Sequence, residues 1–190
     1  MGTLKNVFAF FCLGSVLYIF ISLVSYSSLD PSLSSVSSLS GNIQNLGGPF
    51  GAYLSDALFS VIGLGAYLFL VIISFAAVKT LFFYNRTDRL HKAIQITSAI
   101  FLISSFSALC EFYYSGDYFP QSSSGGLVGN LIFINLSNIF GIVGSLIFIV
   151  IFFLASISLT FSFSWLFVMD VLGKSTKYFF QEFSSQFIRL

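Results

Sequence analysis

The stretch GNIQNLGGPFGAYLSDALF, residues 41–59, decides how this chain is organised. It places a polar, glycine-rich turn and one carboxylate, Asp56, directly before an apolar run. Helices and strands in the core of a soluble domain rarely begin in this way, whereas a membrane helix with a fixed entrance would. Pro49, which follows Gly47 and Gly48, suits the first turn of a helix because its missing N–H costs nothing there. The stretch therefore predicts the entrance of a membrane helix.

The composition excludes an ordinary soluble domain. Of the 190 residues, 56% are hydrophobic and only 8% are charged, whereas soluble domains carry about 25% charged residues. The mean hydropathy is +0.94. The formal net charge of +1 gives no general attraction to nucleic acid, although the distribution of charge matters more than its sum. We therefore expect an integral membrane protein, with the lipid bilayer as its partner and no direct binding of nucleic acid.

Uncharged runs locate the membrane spans, because about 20 consecutive apolar residues cross a bilayer as a helix. The first three runs hold one span each. The last run, 118–169, is long enough for two spans, and the placement of charge decides between one and two. The predicted spans are 7–26, 57–78, 93–110 and 142–165, with Trp165 as an interfacial residue at the end of the fourth.

Basic residues fix the predicted orientation. They occur at Lys5, in the segment 79–92 and in the tail 174–189, whereas the connections 27–56 and 111–126 contain none. The positive-inside rule places basic segments in the cytoplasm. An odd number of spans would put the basic tail outside, so only one span fits the last run. The fold class predicted is an all-α membrane protein with four spans and both termini cytoplasmic.

Two segments outside the spans have a predicted character. Residues 125–140, GGLVGNLIFINLSNIF, suit a short outer-side helix that is amphipathic on the surface or re-entrant; the alternative is a bent start of the fourth helix. The four-helix domain is predicted to cover 1–173. Residues 174–190 then form a cytoplasmic juxtamembrane tail or the start of a linker. No internal repeat is evident in the chain.

The second helix is predicted to run without a break from Pro49 to about Lys79. About 30 residues give ~45 Å of helix, more than the ~30 Å hydrocarbon core. Its first two turns would then stand in the outer interface, and Asp56 lies in them. Two interpretations of Asp56 remain open: a hydrated interfacial carboxylate, or a hydrogen-bonding anchor for the outer loops. Gly51 and Gly63 offer small surfaces for close helix approach.

Catalytic and cofactor chemistry is not indicated. The chain has no phosphate-binding glycine loop ending in Lys-Ser or Lys-Thr. Its single histidine, His91, and its cysteines, Cys12 and Cys110, are too few and too widely separated for a zinc site or a disulfide. The predicted spans carry no carboxylate at mid-membrane, which weakens an ion-pathway interpretation. We expect no enzyme activity, no metal and no cofactor.

Several strings together resemble the N-terminal four-helix membrane region of the FtsK/SpoIIIE family of bacterial DNA translocases. They are SYSSLDPS, NLGGPFGAYLSDALF and GLGAYLF, followed by GGLVGNL after the third span, FGIVGSL at the start of the fourth and SFSWLFVMD at its end. The resemblance covers about residues 7–173. The residues of the structural motif that it marks are Asp30, Pro31, Asn45, Gly47, Gly48, Pro49, Gly51, Asp56, Gly63, Gly125, Gly126, Gly129, Gly141, Gly144 and Trp165.

The resemblance implies a membrane anchor of a DNA translocase that acts in cell division and chromosome partition. It implies the bacterial inner membrane, enrichment at the division septum, a homo-oligomer (a hexamer) and contact with division-machinery proteins. The family's motor would follow the fourth span. The sequence itself has no phosphate-binding glycine loop. We therefore expect one of three proteins: a truncated translocase, a split translocase whose motor is supplied in trans, or a free-standing membrane domain. The alternative function is a small transporter or channel subunit.

The topology is tested with reporter fusions. Fusions at Ser38 and Ser123 should report from outside the cell, and fusions at Arg86 and Leu190 from the cytoplasm, because basic segments stay inside. Reporter activity of the alkaline phosphatase type, active only outside, measures this directly. An external signal from the Leu190 fusion would contradict the count of four spans.

Overall fold

The computed structural model describes residues 2–33, 43–82, 89–114 and 123–162, together with Lys174 and Thr176. Trp165 and the rest of the 174–190 tail lie outside the described residues. Within the described ranges the chain forms helices and no strand. The helices are α1 (Gly2–Val24), α2 (Gly48–Ile62), α3 (Gly65–Phe82), α4 (Arg89–Tyr113) and α5 (Gly126–Phe161).

Four helical segments are long and apolar enough to cross a membrane, which confirms the predicted fold class at that level. They face outward with large apolar side chains: Phe11 on α1 is 73% exposed and Val143 on α5 is 72% exposed. A surface of this kind is matched to lipid rather than to water. The four segments are Asn6–Val24, Gly65–Phe82, Arg89–Tyr113 and Gly126–Phe161.

The spans form two pairs that α2 connects. α1 packs along α3, α4 packs along α5, and α2 contacts all four of these helices. An apolar cluster of Leu23, Phe59, Ala66 and Leu70 joins α1, α2 and α3. α1 and α4 end, and α2, α3 and α5 begin, at the same end of the bundle. We call this the outer end, after the orientation that the basic residues predict.

The predicted continuous helix from Pro49 to Lys79 is wrong, because the chain breaks at Gly63. Gly63 has φ 54° and ψ −136°, a combination that is essentially confined to glycine. The break is held from outside, since the amide of Leu64 donates to the carbonyl of Ser124 at 2.9 Å. α2 has 15 residues, about 22 Å, which is too short to cross the ~30 Å core. The second span is therefore α3.

The entrance of α2 agrees with the sequence. Pro49 lies in the first turn, Gly47 is the N-cap residue, and Gly48 has φ 68°. Positive φ is the conformation for which glycine is suited. The glycine pair therefore turns the chain into the helix, and proline occupies a position where no N–H is needed.

α5 folds back on itself. The Phe112 and Phe133 rings lie 5.8 Å apart, and the Phe106 and Phe153 rings 6.0 Å apart. These contacts are 20 residues apart along α5 but six apart along α4, about 30 Å against about 9 Å of straight helix. A straight α5 could not make both. The bend lies at Gly141, whose φ of 69° and ψ of 172° interrupt the helix.

The bend divides α5 into two segments, which we call α5a (126–140) and α5b (142–161). α5b has about the 30 Å length of one membrane span. The bend separates residues 125–140 from the fourth span, as the predicted outer-side helix requires. The position of α5a relative to the bilayer stays a prediction.

The structure contains an internal repeat that the sequence analysis missed. In each copy a span reaches the outer end and is followed by a loop. A helix of 15 residues then begins with the pattern Gly-Gly-x-x-Gly. A glycine of positive φ separates this helix from the span that returns. The glycines keep the same spacing in both copies, while almost all the other residues of the two helices differ, which is why the pattern is hard to see in the sequence. The corresponding pairs are Gly47 and Gly125, Gly48 and Gly126, Gly51 and Gly129, and Gly63 and Gly141.

Gly63→Ala tests the break between α2 and α3. A Cβ at Gly63 would overlap the carbonyl oxygen of Ser124, and its backbone conformation is strained for any L-residue. We expect a loss of about 2 kcal/mol or more in the free energy of unfolding, measured by denaturant titration in detergent. Gly14→Ala is the control, because a Cβ there meets nothing within 4 Å; equal stability of the two variants would contradict the structure.

Candidate functional site

The outer loop between α1 and α2 is closed by the carboxylate of Asp30. Its two oxygens accept hydrogen bonds from the backbone amides of Gln44 at 2.7 Å and Asn45 at 2.8 Å. Asp30 is only 2% exposed, and Pro31 follows it in non-helical backbone. A carboxylate that accepts two backbone N–H bonds is a strong anchor. Asp30 therefore ties the start of the loop to the segment that leads into α2.

Asn45 connects this segment to two helices. Its amide nitrogen donates to the backbone carbonyl of Ser22 on α1 at 2.8 Å and lies 3.4 Å from the hydroxyl of Ser55 on α2. Its side-chain oxygen accepts the N–H of Gly47 at 2.8 Å. Asn45 is 4% exposed, so these bonds replace the water that the amide loses on burial.

α1 approaches the start of α2 so closely that a side chain at Gly47 or Gly51 would force Ser22 and Asn45 to move. A Cβ on Gly51 would lie 2.7 Å from the Ser22 hydroxyl oxygen and 2.8 Å from the Asn45 side-chain oxygen, and a Cβ on Gly47 would overlap the same hydroxyl. The Tyr18 hydroxyl donates to the Gly47 carbonyl at 2.7 Å. We call this set of contacts between α1, the loop and α2 the first junction.

Asp56 is buried, so its interpretation as a hydrated carboxylate is wrong. Its side chain is 1% exposed, and one of its oxygens accepts a hydrogen bond from the Tyr26 hydroxyl at 3.1 Å. Burial, with the hydrogen bond to Asp56 and the charge of Asp56, raises the pKa of Tyr26 to about 12. The phenol therefore stays protonated at neutral pH and serves as a donor. Asp56 joins α2 to the segment just after α1, which agrees with the anchor interpretation.

A second junction joins α4 to the start of α5. The amide of Gly125 donates to a carboxylate oxygen of Glu111 at 3.0 Å, and the Ser124 hydroxyl donates to the Cys110 carbonyl at 2.8 Å. A Cβ on Gly129 would lie 2.5 Å from the carbonyl oxygen of Ser107. The helices therefore touch backbone to backbone at this crossing, as small residues permit in membrane proteins.

The two junctions share one local geometry. In each, the N–H of the first glycine donates to a side-chain oxygen, that of Asn45 or of Glu111. The second glycine has positive φ, 68° at Gly48 and 64° at Gly126. The third glycine packs against a serine of the preceding span, Ser22 or Ser107.

α2 connects the two junctions. It begins at the first, and the Ser107 hydroxyl of the second donates to the carbonyl of Ile62 at 2.8 Å. Gly63, at the end of α2, lies against the backbone of residues 124–126. The outer ends of both helix pairs are thus held in one network of hydrogen bonds, in which each member limits the movement of the next.

Not every residue of the predicted motif joins these contacts. A Cβ on Gly141 would meet nothing within 4 Å, and one on Gly144 would meet only Phe140 of its own helix. Both therefore serve the bend and not a junction. The sequence analysis in turn missed residues that the junctions depend on; their only signal was a polar side chain near the outer end of a span. They are Tyr18, Ser22, Tyr26, Ser107 and Glu111.

The described carboxylates near the outer end serve the packing of the protein. Asp30 and Asp56 are buried and Glu111 accepts a backbone N–H. Among the residues that the structure describes, no three His, Cys, Asp or Glu side chains come together as a metal site would require, and Cys12 and Cys110 are both free thiols. This arrangement stabilises the shape of the outer surface.

Residues 2–173 match the family model described as the 4TM region of DNA translocase FtsK/SpoIIIE. The chain is 32% identical over 184 residues to a DNA translocase FtsK of Pseudomonas aeruginosa; the match covers 91% of this chain and 22% of that protein.

Two further relatives give the same picture. A DNA translocase FtsK of Pseudomonas syringae is 29% identical over 173 residues, covering 88% of this chain and 21% of its own length. DNA translocase FtsK 1 of Neisseria meningitidis is 26% identical over 170 residues, covering 87% and 21%. The chain thus spans about a fifth of the length of the curated relatives it matches. No solved structure matches it.

Tyr26→Phe tests the bond to Asp56. The change removes only the hydroxyl that donates a hydrogen bond to Asp56. Leaving a buried acceptor without that partner costs about 1–3 kcal/mol of stability. We expect a loss of that order in the free energy of unfolding in detergent, with normal membrane insertion. Tyr53→Phe, an exposed position on the same helix as Asp56, should change little. Equal effects of the two substitutions would contradict a role for this hydrogen bond.

Proposed function

Since this chain belongs to the FtsK/SpoIIIE family through its 4TM region, we propose that it is the septum-targeting membrane anchor of an FtsK-like DNA translocase. The observation that carries the proposal is the match over residues 2–173, which contain all the described helices. The chain is a multi-pass membrane protein with four helices able to cross the bilayer. We assign it to the bacterial inner membrane, with enrichment at the division septum.

The matched region corresponds to the membrane part of the relatives and not to their motor. We therefore propose that these residues hydrolyse no ATP and move no DNA by themselves, and that a motor domain acts with them. The basic residues near the cytoplasmic end, such as Lys79 and Lys92, are explained by anionic lipid heads, which attract each such residue by about 1 kcal/mol near the surface.

The two junctions suggest how an anchor of this kind works. Asp30 and Asn45 fix the loop between α1 and α2, and Glu111 fixes the start of α5. The described part of the outer surface is therefore held in place by these bonds, and a surface that is ordered before binding lowers the entropic cost of binding. We propose that division-machinery proteins recognise this surface, and that copies of the chain assemble side by side as a homo-oligomer, a hexamer by analogy with the family.

The transporter or channel alternative receives less support. An ion pathway would need accessible carboxylates, whereas Asp30 and Asp56 are buried. Intramembrane carboxylates that serve ion pathways face a water-filled cavity or a partner in the pathway. The hydrogen bonds observed for these two side chains stabilise the loop between α1 and α2 and the position of α2.

A fluorescent fusion in dividing bacteria tests the proposed function. At native expression level the fusion should concentrate at the septum, because the family match lies in the region proposed to dock there. The control is an unrelated four-span protein expressed at the same level, because the two membranes at the septum raise the fluorescence of any membrane protein there. Septal intensity no higher than that of the control would refute the septal anchor and would favour the transporter alternative.

A further inference from the structure

α2 buries its carboxylate and a serine together with Ala52 and Phe59, and it exposes large apolar side chains outward. Ser55 and Asp56, on its inner face, are 0% and 1% exposed, whereas Phe50, Tyr53 and Val61, on its outer face, are 68%, 41% and 50% exposed. The helices of soluble proteins have the reverse arrangement, with the apolar stripe inward. The outer face of α2 is therefore suited to an apolar environment and not to water.

The depth of α2 follows from its contacts with the flanking spans. Its beginning is fixed by the hydroxyl of Tyr18, which donates to Gly47, and Tyr18 lies six residues before the end of α1. Its end is fixed by Ser107, which donates to Ile62 and lies six residues before the end of α4 at Tyr113. Six residues of helix are about 9 Å. The end of α2 therefore lies about 9 Å below the outer end of α4. Its start lies about 3–9 Å below the outer end of α1, because Gly47 also meets Ser22, two residues before that end.

The exposed face of α2 is continuous with the lipid-facing side of α1. The Phe50 ring stacks on Tyr18 of α1, with 6.3 Å between the ring centroids. Next to Tyr18 in the chain, Leu17 is 61% exposed on a helix that has the length and composition of a span. The surface that meets lipid along α1 therefore extends without interruption onto α2.

We propose that α2 lies in the plane of the membrane within the outer leaflet, with Phe50, Tyr53 and Val61 against the lipid acyl chains. A depth of about 3–9 Å overlaps the 5–10 Å at which interfacial helices lie in the boundary between headgroups and acyl chains. The burial of Asp56 has the same cause. At this depth water is scarce, so a carboxylate has to find its partners inside the protein.

Depth-dependent fluorescence quenching tests this placement. The single Trp of the chain is first replaced by Trp165→Phe, and Phe50→Trp or Tyr53→Trp is then introduced, each an exchange of one aromatic ring for another. The purified chain is reconstituted into phosphatidylcholine vesicles whose lipids carry a doxyl quencher near the headgroup or near the end of the acyl chain. Both indoles should lose most of their fluorescence to the shallow quencher and less to the deep one.

Two control positions bracket the expected depth. Val71→Trp, at a 54% exposed site within α3, should be quenched most by the deep doxyl group. Tyr114→Trp, at a 62% exposed site just beyond α4, should be quenched less by both lipids and more by aqueous acrylamide. If the Phe50→Trp and Tyr53→Trp indoles behave like the Tyr114→Trp indole, α2 lies in water and the proposal is wrong.

A second measurement uses the unmodified chain and does not depend on how the variants fold. A phosphatidylcholine with a photoreactive diazirine at the top of its acyl chain is illuminated in vesicles, and labelled peptides are identified by mass spectrometry. Labelling of residues 50–61 is expected. Absence of label there, while α3 is labelled by a deep diazirine, would overturn the proposal.

Discussion

The backbone contact between Gly63 and residues 124–126 is the constraint on which the outer half of the structure depends. The amide of Leu64 donates to the carbonyl of Ser124 at 2.9 Å, and a Cβ on Gly126 would lie 2.5 Å from the backbone nitrogen of Gly63. Two backbone segments can come this close only where the residues that face each other, here Gly63 and Gly126, carry no side chain. The contact ends α2, sets the start of the second span and joins the two copies of the repeat.

An apolar surrounding explains why so many polar side chains are buried at the two junctions. In a membrane, a polar group that finds no partner within the protein costs several kcal/mol. Asp30, Asn45 and Ser55 are each less than 5% exposed, and the hydrogen bonds described for them connect elements that lie apart in the sequence. Polar residues of this kind hold helices in place where the hydrophobic effect cannot, because lipid is as apolar as the helix surface.

The repeat gives the protein two similar corners, one in each copy. In the first, a span is followed by α2 and a returning span; in the second, a span is followed by α5a and a returning span. The first corner carries its carboxylates on the loop and on α2, and the second on α4, at Glu111. The outer surface is therefore built from one backbone plan, while the side chains that fix it differ. Hydrogen bonds from the backbone to these side chains hold each corner in place.

The sequence by itself determined the number and kind of the spans, because hydropathy over about 20 residues and the placement of basic residues depend on the bilayer and not on packing. It also placed Pro49 in the first turn of a helix, since a missing N–H and a fixed φ are local properties of proline. Only the tertiary structure decided that the chain breaks at Gly63 and that Asp56 is buried. Both outcomes depend on distant partners, Ser124 for the break and Tyr26 for the carboxylate, and no local pattern records which segments will meet.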